Sequence, residues 1–190
     1  MLAAIIEDIR PMPAISHFQA SVFAAHRRVA NRGNASGDVL LMAYGTNGYN
    51  FAAAVTAAIG TLGGIHGPIE ATQDFLEKED PATEVPRMIA DGFRVPGWGN
   101  HFVRGKPDPD WQRADIALKA ASEELYCRVR QTTISLHHYG IQIFPNPSCY
   151  TACLSILMGL PSSLAVSLFL EARLPAWRKS VQETYHNKEK

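Results

Sequence analysis

An all-α fold is the expectation from three features of this 190-residue sequence. Apolar side chains recur at spacings of three and four along much of the chain, the period of an amphipathic helix. Glycine, asparagine and proline punctuate those runs as turns. Only the stretch 132–144 (TTISLHHYGIQIF) has enough β-branched residues to compete as a strand.

Taken in order, Ile15, Phe18, Val22, Ala25 and Val29 lie on one face of a first helix, which Asn31-Arg32-Gly33-Asn34 ends. The stretch 51–62 is rich in alanine, so another backbone can approach it closely, in a tightly packed core or a subunit contact; Gly60, Gly63 and Gly64 close it. Asp80 before Pro81 suits an N-cap with a first-turn proline, Val85, Met88 and Ile89 giving the apolar face and Gly92 the stop. Trp111, Ala114, Leu118, Ala121 and Leu125 form another stripe after Asp108-Pro109-Asp110. Ser148 is expected to cap a helix through Leu157, and Ser162 or Ser163 one through Arg173.

Composition limits the partners. With 46% apolar and 19% charged residues the chain can bury a core, which excludes a disordered or low-complexity protein. Lys plus Arg balance Asp plus Glu at 18 each, so neither nucleic acid nor an anionic membrane surface is expected as a general partner. The longest apolar stretch, 150–160, is too short to span a bilayer, and no signal-peptide pattern opens the sequence. Three cysteines without CxxC spacing fit a cytoplasmic protein without a metal site. Cys149 and Cys153 share a helix face and read as buried; the competing role for Cys149 is a nucleophile at a helix N-terminus. His26 sits on or beside its helix's apolar stripe, as a core or interface histidine would.

Three turn-rich segments interleave polar groups with glycine or proline: Gly63-Gly64-Ile65-His66-Gly67-Pro68, then Val95-Pro96-Gly97-Trp98-Gly99-Asn100-His101, then Pro145-Asn146-Pro147-Ser148-Cys149-Tyr150. Flanking glycines let a ligand approach the backbone and leave an imidazole accessible.

Their order and spacing resemble the citrate synthase family. The alanine-rich run into His66 resembles the family's Leu-His-Gly-Gly turn. Pro96 to His101 followed by Asp108-Pro109-Asp110 resembles Pro-Gly-(aromatic)-Gly-His with Asp-Pro-Arg. The segment from Pro145 to Tyr150 resembles Pro-Asn-Val-Asp-(Phe)-Tyr, Ala172-Arg173-Leu174-Pro175-Ala176-Trp177 resembles Ala-Arg-x-x-Gly-Trp, and Gln19 to Ala25 resembles the Asn-Ala-Ser-Thr-Phe helix. The likeness covers about the C-terminal half of an ordinary member.

The resemblance implies a single citrate synthase-like helical domain over 1–190, shortened, with core helices in about 1–67 and 160–190 and a small lobe over 68–159. It implies chemistry at a carbon–carbon bond next to a CoA thioester, as in a citryl-CoA lyase or a Claisen-type condensation. His66 then matches the donor to the thioester oxygen, while the carbonyl-polarising histidine falls on Asn100, with His101 one place later. The family's proton-abstracting aspartate falls on Ser148, a very weak base without a partner. The arginine of Asp-Pro-Arg falls on Asp110, which would repel a carboxylate, whereas Arg173 matches a carboxylate-binding arginine.

For the coenzyme, the resemblance implies adenine recognition by backbone groups of Val95, Pro96, Gly97, Trp98 and Gly99. Arg104 would contact a CoA phosphate, with Lys106 nearby, and Asn146 the pantetheine arm. The ligands implied are CoA or acyl-CoA and a carboxylate substrate, the assembly a homodimer through the alanine-rich helix. The alternative is a non-catalytic CoA-binding or regulatory relative, or a scaffold repurposed for another reaction.

Overall fold

The computed structural model describes residues 13–31, 35–60, 69–78, 80–100 and 103–186. Nine α-helices are present among them, and no strand. They are α1 (Pro13–Asn31), α2 (Ala35–Thr46), α3 (Phe51–Gly60), α4 (Ile69–Lys78), α5 (Pro81–Ala90), α6 (Gln112–Ala121), α7 (Glu123–His138), α8 (Pro147–Leu157) and α9 (Ala165–Val181). One isolated antiparallel bridge, Trp98 to Pro145, joins two loops.

The helix ends follow local chemistry. The Asp80 side chain accepts from the Ala82 N–H and Pro81 opens α5, as the sequence indicates, while Gly92 turns the chain at φ +74°. The stripe from Trp111 to Leu125 divides in two. A 3-10 turn over Pro109–Trp111 leads into α6, and Ser122, extended at φ −157°, caps α7 by accepting from the Leu125 N–H.

Two N-cap expectations are corrected. Asn146, not Ser148, caps α8: its Oδ1 accepts from the N–H groups of Ser148 and Cys149, and Pro147 takes the first helical position. Neither Ser162 nor Ser163 caps α9, because a 3-10 turn over Ser162–Leu164 precedes it and no side chain caps it. The competing strand at 132–144 is also corrected: α7 runs to His138 before the chain turns at Gly140. Thr132 and Thr133 are accommodated there by donating to the carbonyls of Arg128 and Val129 one turn back.

Helix α8 is the hub, with every residue from Pro147 to Ser155 buried. It packs on α4 and α1, while α9 lies against α1 and α8, and α6 bridges α1 and α7. The resulting core joins Phe18, Val22, Trp98, Trp111, Leu118, Leu154 and Phe169. A second cluster unites α2 and α3 with the end of α9 through Leu40, Ala54, Ala58 and Trp177. The small side chains of Ala54 and Ala58 therefore do serve close packing, against α2.

Candidate functional site

The loop 95–99 is clamped onto the chain just before α8. The Gly99 N–H donates to the Phe144 carbonyl at 2.9 Å, and the Asn146 N–H donates to the Gly97 carbonyl at 2.9 Å. Those two bonds straddle the Trp98–Pro145 pair, so the N–H and C=O of Trp98 point away from residue 145. Neither has a hydrogen-bond partner among the described residues. The Asn146 amide donates to the Gly99 carbonyl at 3.0 Å while its oxygen caps α8, so one side chain fixes both loop and helix.

Packing explains the loop's residue choice. Gly97 has φ +84°, and a Cβ there would lie 2.4 Å from Cγ2 of Thr72. Val95 and Trp98 are buried, Pro96 is half-buried, and the Trp98 indole N–H donates to Thr133 Oγ1 at 2.9 Å. Trp98 also presents an edge-on contact to Phe75 at 5.9 Å.

Beyond the loop lie two adjoining cavities. The smaller, about 310 Å³, is lined by Asn100, Arg104, Lys106 and Phe144 among others. The Asn100 amide donates to Asp108 Oδ2 at 3.4 Å, and Asp108 Oδ1 in turn accepts from the Asp110 N–H. The larger cavity, about 490 Å³, shares Lys106, Asp108, Phe144 and Pro145 with it. Asp115, Arg130 and Tyr150 supply polar groups there, and Trp111 stacks on Tyr150 at 5.1 Å.

The remaining sequence candidates separate. Ser148 is fully buried at the start of α8. Arg173 is also fully buried, its Nε donating to His26 Nδ1 at 3.1 Å and its guanidinium lying 5.0 Å from the Phe169 ring centre. Because arginine only donates, His26 Nδ1 must accept. The imidazole therefore carries its proton on Nε2, which donates to Thr151 Oγ1 at 2.9 Å. Thr151 passes the chain on to the Pro147 carbonyl at 2.8 Å. Asp110 is held by Arg28, 3.2 Å from its carboxylate, which offsets the charge at the position of the family arginine. His66 and His101 lie outside the described residues.

The nucleophile role weighed for Cys149 is overturned. Cys149 is fully buried, out of a substrate's reach, and burial with the neighbouring Cys153 and Asp115 pushes its thiol well above the usual range, opposite to the shift that activates a nucleophile. Sequence reading missed Asp115. Its signal was an acid four residues after Trp111, on the same apolar stripe of α6 as Ala114 and Leu118. Burial raises the Asp115 pKa, against the lowering effects of the Tyr150 hydroxyl, which donates to Oδ1 at 3.3 Å, and the Arg130 charge.

Residues 30–190 match the family of the citrate synthase C-terminal domain. The chain belongs to that family. Solved structures share its fold at low identity. Citryl-CoA lyase from Hydrogenobacter thermophilus superposes with a TM-score of 0.67 at 16% identity, covering 91% of this chain and 70% of that one. The Methanosaeta concilii ATP citrate lyase D541A mutant, in complex with (3S)-citryl-CoA, gives 0.72 at 18% identity, over 92% of this chain but 32% of that one. ATP citrate lyase from Methanothrix soehngenii, in complex with citrate and coenzyme A, gives 0.72 at 17% identity with the same coverage of 92% and 32%. The chain thus spans about a third of the two ATP citrate lyases.

Proposed function

We propose that this member of the family binds an acyl-CoA and makes or breaks the carbon–carbon bond next to the thioester, in the manner of a citryl-CoA lyase. The observation that carries the reading is the clamped loop. Trp98 holds its peptide N–H and C=O outward in a turn fixed by Phe144 and Asn146. Such rigid backbone groups suit adenine recognition without any special side chain. The adjoining cavity places Arg104 and Lys106 where phosphate groups would need cations. The citryl-CoA bound by the Methanosaeta concilii relative supports the same ligand class.

In this reading His66 donates to the thioester oxygen as it becomes enolate-like, and Asn100 or His101 polarises the keto acid's carbonyl. Homodimerisation through α3 belongs to the same reading, with light scattering at micromolar concentration as its check. A second reading is favoured by Ser148, fully buried where the family's base belongs, and by Arg173, engaged with His26. It is a non-catalytic acyl-CoA-binding relative.

Calorimetric titration with CoA and acetyl-CoA, followed by a citryl-CoA cleavage assay, separates the two. Binding that weakens about tenfold in Arg104→Ala, with keto acid released, supports the enzyme. Binding without release supports the second reading. No binding at millimolar CoA defeats both.

A further inference from the structure

A carbon–carbon lyase of this kind must take the proton from the substrate's hydroxyl, and position 148 offers no carboxylate to do it. The described residues offer one elsewhere. Asp115 lines the 490 Å³ cavity, which shares the lining residues Lys106, Asp108, Phe144 and Pro145 with the smaller one. We propose that Asp115, held by Tyr150, is the general base of this site, accepting the hydroxyl proton of a carboxylate-bearing 3-hydroxyacyl thioester. The inference rests on the lyase reading above.

The geometry suits the task. Tyr150 donates to Oδ1 at 3.3 Å, which fixes the carboxylate's orientation. Oδ2 has no hydrogen-bond partner among the described residues, so it remains as the accepting atom. Burial and the adjacent Asp115 hold the Tyr150 hydroxyl well above its usual pKa, keeping it a donor. Stacked Trp111 and Tyr150 wall the cavity, whereas Arg130 lines it as a cation for a substrate carboxylate. Arg130 can replace the clamp that Asp110 does not supply.

The step balances without another reactant. The hydroxyl O–H bond breaks and its proton passes to Asp115 Oδ2. The oxygen's electron pair forms the keto C=O as the adjacent C–C bond breaks. That bond's electrons move onto the thioester's α-carbon and oxygen as an enolate. The α-carbon then takes up the proton that Asp115 accepted, leaving an acyl-CoA and a keto acid. Condensation is the reverse.

The test compares wild type with Asp115→Asn, Asp115→Glu and Tyr150→Phe, measuring CoA affinity by calorimetry and citryl-CoA cleavage by keto-acid release. Asp115→Asn is expected to keep CoA affinity within twofold and lose at least 100-fold in kcat, about the contribution of a general base. Asp115→Glu should recover part of the rate. Tyr150→Phe removes a hydrogen bond that lowers the Asp115 pKa, so the acidic limb of the pH–rate profile should move to higher pH. Cleavage by Asp115→Asn within threefold of wild type overturns the assignment and leaves the lyase reading standing. A wild-type chain that binds CoA but cleaves nothing overturns both.

Discussion

Arg173 and His26, 147 positions apart in sequence, meet in the core through a 3.1 Å hydrogen bond from Nε to Nδ1. The contact joins α1 to α9, and His26 extends it through Thr151 to α8. Trp111 and Phe169 pack edge-on against the same imidazole at 4.9 and 4.7 Å.

His26→Ala removes the acceptor facing a buried guanidinium and the donor to Thr151. Losses of this kind cost about 3 kcal/mol, or about 6–12 °C in Tm for a chain of this size. His26→Gln keeps one acceptor and one donor and should lose less. Thermal unfolding followed by circular dichroism ranks the two, and an equal loss would show that ring packing dominates.

Gly97 and Gly92 both have positive φ, at +84° and +74°. Alanine at 92 would meet no atom within 4 Å, so only the backbone strain of about 1–2 kcal/mol applies. At 97 the same strain combines with a 2.4 Å approach to buried Thr72 Cγ2. Gly97→Ala should therefore cost more than Gly92→Ala in urea denaturation, and Thr72→Ser should restore part of the difference.

Asn146 has two duties, which substitution can separate. Asn146→Ala removes the α8 cap and the bond to Gly99, a loss of about 2 kcal/mol or about 4–8 °C in Tm. Asn146→Asp keeps the capping oxygen but cannot donate to Gly99, so it should retain about half of that stability. Both variants should weaken CoA binding by freeing the loop.

Asp115 ties stability to pH with an unusual sign. Its pKa is raised in the fold, chiefly by burial, so the native state holds the proton more tightly than the unfolded chain. Its contribution to stability is full below the unfolded pKa of about 4 and is lost as pH rises through the folded value. Asp115→Asn should thus melt higher than wild type at pH 7, with the gain disappearing near pH 4. Melting curves across that range check the sign.

Much of this architecture was legible where local chemistry and burial agree. Asp80 with Pro81 and Gly92 fixed both ends of α5, and the α1 stripe from Ile15 to Val29 faces the core or its margin. Helix α2 went unread because Val39 to Tyr44 is apolar at every position, leaving no period to detect. Ser148 and Asn146 could each cap a helix, and Asn146 prevailed because Pro147 at the first helical position leaves the N–H groups of Ser148 and Cys149 as donors for it. Of the candidate residues, loop 95–99 and Asn146 come together, and Arg104 lines the adjoining cavity. Asp115 was hidden because periodicity alone does not say that an acid on an apolar stripe borders a cavity.

The burial of α8 has a consequence for chemical probing. Cys149 and Cys153 are sealed within it, whereas Cys127 on α7 is exposed. A thiol reagent should therefore consume one equivalent at once and the other two only as the hub opens. The slow phase is a clock for that opening, supplied by the natural sequence without any engineered label.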